Sequence, residues 1–220
     1  MADSNTLNQG QPNFETGSGM AKNIAAIVLA AGSSQRMGNA NKLLLNIEGQ
    51  TLLQRCVTTI IKAGVGEVVV VLGHESKYTK LHVVELGVRC VINTEYKAGQ
   101  TSSVQCGLSA LSGDSRAAMI CLADQPFINA THLQQLISAY ESLPNDKQIV
   151  VPVYKKQRGN PVLISESVRK EVVHQGVNFG CRKYIDDNPD KVFWLSVSDS
   201  AFTTDIDTPE DYLGGCPRIS

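Results

Sequence analysis

An unbroken apolar run, Ile24 to Leu29, stops abruptly at Ala30-Ala31-Gly32-Ser33-Ser34, and no other stretch restricts the fold as tightly. The run is too short for an amphipathic helix and has the continuous hydrophobicity of a parallel strand covered on both faces. The small residues that follow leave backbone N–H groups open to close approach by an anion. Arg36 and Lys42 add positive charge, so one strand end combines free amides and cations, the groups that suit a polyphosphate. An ordinary turn with two solvated cations has the same composition, and that reading stands beside the first. Two phosphate motifs are excluded. No G-x-x-x-x-G-K-[ST] is present, and Gly32 is followed by Ser33 and Ser34 where a dinucleotide turn needs G-x-G-x-x-G.

The pattern repeats along the chain. Leu52, Leu53, Cys56, Val57, Ile60 and Ile61 recur at helical spacing, with Gly64 where a C-cap belongs. Residues 67–72 predict a second strand ending in Gly73 and His74, and 88–92 a third, with a short helix between them over 76–86. Thr101 or Ser102 is placed to cap a helix whose apolar side is Val104, Leu108 and Leu111. Gly107 inside it costs about 1 kcal/mol relative to Ala, which points to close packing against a neighbour or a ligand. A fourth strand, 117–122, runs into Asp124-Gln125-Pro126 and then a helix carrying Leu133, Leu136, Ile137 and Tyr140. Strands over 149–153 and 161–164 flank the cationic turn KKQRGN. Helices over 168–174 and 178–187, a strand over 191–197 and a helix starting at Thr208-Pro209-Glu210 complete the chain.

This alternation predicts an α/β fold, a single-domain Rossmann-like three-layer sandwich with a mostly parallel sheet and right-handed crossovers. The domain is expected over 23–215. Residues 1–22 are polar and aperiodic and read as a disordered lead. Ligands of such folds sit beyond the carboxyl ends of the strands. The small-residue loop, Gly73-His74, the 99–103 loop and Asp124 all follow predicted strands, so they converge on one edge.

Asp124 has no basic neighbour in sequence, and a magnesium ion is a natural partner, since Mg²⁺ is held by one or two carboxylates plus substrate phosphates. Asp207 is the second candidate carboxylate. Both also fit ordinary roles, Asp124 in a turn and Asp207 as the cap of the last helix. A net charge of −1 gives no basic footprint for nucleic acid or an anionic membrane surface. No run approaches a membrane span and no secretory signal is seen, which predicts a cytoplasmic protein. The six cysteines include no C-x-x-C pair, and the four histidines have no metal spacing.

The stretches LAAGSSQRMGNANKLLL, GQTSSVQCGL, LADQPFI, RGNPVL and DIDTPEDY, in that order, resemble the molybdenum-cofactor cytidylyltransferase family of Rossmann-like nucleotidyltransferases over about residues 24–213. The resemblance implies transfer of a cytidylyl group from CTP to the phosphate of molybdopterin, with Mg²⁺ and release of pyrophosphate. It puts the nucleotide on Leu29, Ala30, Ala31, Gly32, Ser33, Ser34, Arg36, Met37 and Lys42, with Ser102 and Ser103 on its other side. Gly73, His74 and Gly107 are further nucleotide-side candidates. Arg36, Lys42 and Asp124 carry the catalytic expectation, and Asp124 with Asp207 the metal. Arg158, Gly159, Asn160, Pro161 and Arg182 are the implied acceptor side, and a molybdenum hydroxylase the implied client. Relatives with a second glycine in the first motif favour GTP, and Ala31 stands in that place, as in cytidylyl-transferring members.

One segment departs from the family. Where members carry a Gly-Asp-x-Gly-Ala-Arg-like run, this chain has Gly176-Val177-Asn178-Phe179-Gly180-Cys181-Arg182, which keeps the arginine and lacks the acid. The departure falls on the acceptor side. Other readings stay open at this point: transfer to a different phosphate acceptor, such as a sugar or alcohol phosphate, or from GTP; an NAD(P)-dependent oxidoreductase; and a non-catalytic molybdopterin carrier.

Overall fold

The computed structural model describes residues 21–37, 41–176 and 180–215. Its centre is β1 (Ile24–Ala30), which pairs in parallel with strands from both sides. A minimal hairpin, β2 (Asn46–Ile47) and β3 (Gln50–Thr51), precedes α1 (Leu52–Lys62). Thr51 and Gln54 form a reciprocal capping box at the start of α1, and Gly64 follows its end in the left-handed region at φ +87°. Next come β4 (Glu67–Leu72), α2 (Ser76–Leu81), β5 (Arg89–Ile92) and α3 (Gln100–Ala110). The second half holds β6 (Ala117–Leu122), α4 (Ala130–Glu141), β7 (Ile149–Tyr154), β8 (Gln157–Arg158), β9 (Val162–Ser165), α5 (Glu166–His174), α6 (Cys181–Asp187), β10 (Val192–Ser196) and α7 (Pro209–Gly215).

The main sheet runs β10-β7-β9-β6-β1-β4-β5, with β8 paired to β7. All neighbours along it are parallel except β9, which is antiparallel to both β6 and β7. The KKQRGN turn is too short for the crossover of a dozen or more residues that a parallel return needs, so the chain doubles back. The period of two then divides β1 between the faces. Ile24, Ala26 and Val28 pack with Leu53, Val57 and Ile60 of α1 and with Leu133 and Leu136 of α4. Ala25 and Ile27 pack with Val104 and Leu108 of α3, Val168 and Val172 of α5, and Tyr184 and Ile185 of α6. Helices therefore cover both faces of one α/β domain.

Two expectations shift. Of the predicted disordered lead, 1–20 lie outside the described residues, but Ala21 and Lys22 belong to the fold: Ala21 is buried and the Lys22 carbonyl presses on Gly66. α3 begins earlier than expected, behind Gly99 at φ +104°, without a side-chain cap from Thr101 or Ser102. Among the described residues, no helix is long and apolar enough to cross a membrane.

Candidate active site

The carboxyl ends of β1, β4 and β6 open into a cleft of about 1150 Å³. One wall is the small-residue loop itself, Leu29 through Ser34. Ser34 adopts φ +51°, and its Oγ accepts the Lys42 backbone N–H at 3.2 Å. The loop thus holds the start of the Lys42–Leu44 turn, which Asn41 caps by accepting from the Leu43 N–H while the Leu43 side chain is buried.

That anchoring carries the Lys42 ammonium to the floor of the cleft. Its Nζ donates to Asp124 Oδ2 at 2.6 Å and to Asp207 Oδ1 at 2.8 Å. Arg36 pairs with the other Asp207 oxygen at 2.9 Å from a position 70% exposed, whereas the Lys42 side chain is only 15% exposed. Burial by itself would lower the Lys42 pKa, but Asp124 and then Asp207 outweigh it and hold the ammonium above its ordinary range. Asp124 Oδ1 is buried and accepts no hydrogen bond among the described residues. Asp205, one strand-period from Asp207, accepts from Gln125 Nε2 at 2.8 Å, and burial pushes its carboxyl up.

These residues fit a divalent metal ion. Two carboxylates facing one cation, with a buried lone-pair oxygen still unpartnered, supply the usual protein share of a Mg²⁺ site that substrate phosphates complete. Among the described residues no group of three or more acidic, histidine or cysteine side chains forms a ready-made cage.

The opposite wall comes from the loop between β5 and α3. Asn93 is buried and its Nδ2 donates to Ser102 Oγ at 2.9 Å and Ser103 Oγ at 3.0 Å. Ser102 is turned inward, donating toward the Glu95 and Gly99 carbonyls, while Ser103 lines the cleft. His74 also lines it, 6.0 Å ring to ring from Tyr96, with its backbone N–H donating to the Ala31 carbonyl at 3.1 Å. Gly73 is required beneath them, since a side-chain carbon there would lie 2.7 Å from the Ala31 oxygen and from Tyr96 Cβ. Tyr96, Lys97 and Asp205 line the cleft without having been singled out in the sequence, and Gln100 lines it within the expected 99–103 loop. The polar run after the third strand was the available signal for the first two. Asp205 stands two residues before Asp207, a spacing that puts both on one side of an extended chain.

Several expected residues lie elsewhere. Met37 is buried beneath the loop, outside the cleft lining. Gly107 faces the sheet, where a methyl would come within 2.8 Å of Val71 Cγ2 and 3.0 Å of Ile27 Cδ1, so it serves helix–sheet packing. Arg158 is drawn to Asp186 and stacks 4.8 Å over the Trp194 ring, on the β7–β10 side. Gly159 presses on the Phe202 carbonyl, Asn160 donates its N–H to that carbonyl at 2.8 Å, and Pro161 lines a small apolar recess with Cys56. Arg182 is exposed on α6. Of the departing segment, 177–179 lie outside the described residues, but Gly180 meets Thr101 at the first turn of α3, beside the cleft wall.

A small-residue loop, two cations and two metal-competent carboxylates at the carboxyl edge of a mostly parallel sheet define an α/β domain of the nucleotidyltransferase class. The chain belongs to the MobA-like NTP transferase domain family, whose match spans residues 26–192. It is 27% identical over 198 residues to nicotine blue oxidoreductase of Paenarthrobacter nicotinovorans, covering 85% of this chain and 93% of that one. A probable molybdenum cofactor guanylyltransferase of Methanosarcina acetivorans is 28% identical over 145 residues, 64% of this chain and 61% of its own. Among solved structures, Rv0371c of Mycobacterium tuberculosis in complex with manganese has the same fold, with TM-score 0.71 at 23% identity over 88% of this chain and 97% of that one.

Proposed function

We propose that this protein transfers a cytidylyl group from CTP to the phosphate of a molybdopterin-type acceptor. The acceptor oxygen bonds to the α-phosphorus as the α–β bridging bond breaks and pyrophosphate leaves. The observation that carries the reading is the meeting of Lys42, Asp124 and Asp207 beside the amide-rich loop. An acceptor phosphate is already anionic, so no base or covalent intermediate is needed. The protein's task is to align the reactants and to stabilise charge on the leaving group. Backbone amides of Ala30 to Ser34 receive the phosphates, and Lys42 and Arg36 offset the charge that develops on pyrophosphate. Asp124 and Asp207 would hold Mg²⁺, which when bound draws charge from the phosphate oxygens as a Lewis acid. Ala31, which lines the cleft where relatives that use GTP carry a second glycine, supports CTP as the donor by resemblance to cytidylyl-transferring members. A guanylyltransferase relative makes GTP the competing donor.

The test is pyrophosphate release with each nucleoside triphosphate in turn, Mg²⁺ and molybdopterin. Release with CTP and acceptor together, and with neither alone, is the expected result; equal or greater release with GTP reassigns the donor. Pyrophosphate from a sugar or alcohol phosphate acceptor instead reassigns the acceptor. Tight molybdopterin binding without release from any triphosphate makes the protein a carrier.

One observation favours a second reading. A relative matched over 93% of its own length carries the name of an oxidoreductase. A thermal-shift panel decides between them, because a ligand that binds only the folded state raises the melting temperature. Stabilisation by NAD(P)H and not by CTP favours redox chemistry.

A further inference from the structure

We infer that Lys42 and the divalent metal ion exchange places on Asp124 and Asp207, so that metal enters the site only together with a nucleoside triphosphate. The inference deepens the nucleotide reading above and rests on it.

A cation shared by the two carboxylates competes for Asp124 Oδ2 and Asp207 Oδ1, which the ammonium bridges at 2.6 and 2.8 Å, while Asp124 Oδ1 is an oxygen the ammonium does not use. A hard dication needs about 2.0–2.1 Å to each oxygen ligand, so it and the ammonium have no room to share the pair. Charge gives the same result. The three carboxylates that line the cleft, Asp124, Asp205 and Asp207, are matched by Lys42, Arg36 and Lys97, which leaves a free dication little net attraction and the repulsion of a partly buried ammonium. A triphosphate reverses both terms. Its negative charge supplies the missing ligands and gives the ammonium somewhere else to go.

The alternative position is built into the local structure. The Lys42 backbone is tied to Ser34 of the first loop and to the Asn41 cap, with Leu43 buried beside it. Only the side chain is left to swing. From that pivot it reaches either the carboxylates on the floor or an anion held by the amides of Ala30 to Ser34. In the free protein the ammonium keeps two partly buried acids from repelling one another. With nucleotide bound it becomes a phosphate ligand.

Manganese titrations followed by electron paramagnetic resonance test the exchange, using wild type, Lys42→Ala and Lys42→Met, the last keeping the aliphatic stem. Circular dichroism checks that each variant is folded. Wild type is expected to bind free Mn²⁺ weakly and Mn²⁺ with CTP or GTP far better. Both variants should bind free Mn²⁺ about 10-fold more tightly than wild type, yet bind the metal–nucleotide complex about 10-fold more weakly. Without nucleotide, Mn²⁺ should also raise their melting temperatures more than that of wild type. Free-metal affinity in the variants equal to or below wild type, while wild type still binds Mn²⁺ with nucleotide, overturns the exchange and leaves the nucleotide reading standing. Wild type that binds no triphosphate, with or without Mn²⁺, removes both.

Discussion

Lys42 Nζ lies 2.6 Å from Asp124 Oδ2, joining residues 82 positions apart across the carboxyl end of the sheet. β1 and β6 are parallel neighbours, with Leu29 opposite Leu122, so their ends open side by side. The first loop carries Lys42 and the turn after β6 carries Asp124. The pairing is therefore a consequence of strand order, and it brings two candidate site residues together before any ligand is considered.

Asp124→Asn should leave the fold intact and lower turnover by about 10²-fold or more, because it removes charge directed at the metal-bound phosphates. Steady-state pyrophosphate release at saturating metal, with circular dichroism as the fold control, measures this. Activity within a few-fold of wild type would show that Asp124 holds no metal.

Gly107→Val should destabilise the protein by about 2 kcal/mol through overpacking against Val71 and Ile27, and leave nucleotide affinity unchanged. Urea unfolding and nucleotide titration separate the two effects. A variant of normal stability that loses nucleotide binding would return Gly107 to the site.

Most of the fold was legible because buried parallel strands announce themselves as apolar runs and Gly64 marks where α1 ends. The antiparallel return of β9 was not. Residues 161–164 look like any other strand, and only the brevity of the turn before them holds the direction. The cleft was legible on its β1 side, where Ala30 to Ser34 are unusual in composition. Its other wall was legible at His74 and Ser103 but not at Tyr96 and Lys97, which sit in an ordinary polar loop. The surroundings of Arg158 were not legible for a different reason: its partners, Asp186 and Trp194, come from α6 and β10, and sequence order gives no hint of that contact.

Acid should expose the tie between β4 and the end of α3. Burial by itself would raise the Glu67 pKa, but hydrogen bonds from Ser112 and the Arg89 guanidinium bring it below the ordinary carboxylate value. A depressed folded pKa means the stabilisation is full above the unfolded value, near 4.5, and is lost as pH falls through the folded one. Glu67→Gln should therefore be less stable than wild type at pH 7, and the gap should close below pH ~4. Melting temperatures across that range provide the measurement; a gap independent of pH would mean that the ionised carboxylate contributes nothing.

Thiol reactivity should follow burial. Cys56 and Cys181 are pushed up to about 12, Cys121 also stands well above its ordinary value, and all three are buried. Cys90 and Cys106 are partly exposed and less strongly raised. Among the described cysteines, alkylation of the native protein at pH ~8, mapped by mass spectrometry, should modify Cys90 and Cys106 first and the buried three only after unfolding, because the thiolate is the reacting form. Early labelling of Cys56 would mean that the recess between α1 and β6 opens readily in solution.

Arg158→Ala tests whether the RGNP turn is acceptor machinery or architecture. The guanidinium pairs with Asp186 and lies over Trp194, both half-exposed, an arrangement that contributes about 1 kcal/mol. Gly159 and Asn160 meanwhile meet the Phe202 carbonyl, so the turn is seated by its backbone and should hold its shape without the arginine. The expected variant is slightly less stable, with KM for the acceptor and kcat both within about twofold of wild type, since a group absent from the transition state costs nothing there. A large rise in acceptor KM at unchanged nucleotide affinity would require Arg158 to leave Trp194 during turnover. The second half of the domain would then close on its substrate, and the Trp194 fluorescence of Arg158-containing protein should change when acceptor is added.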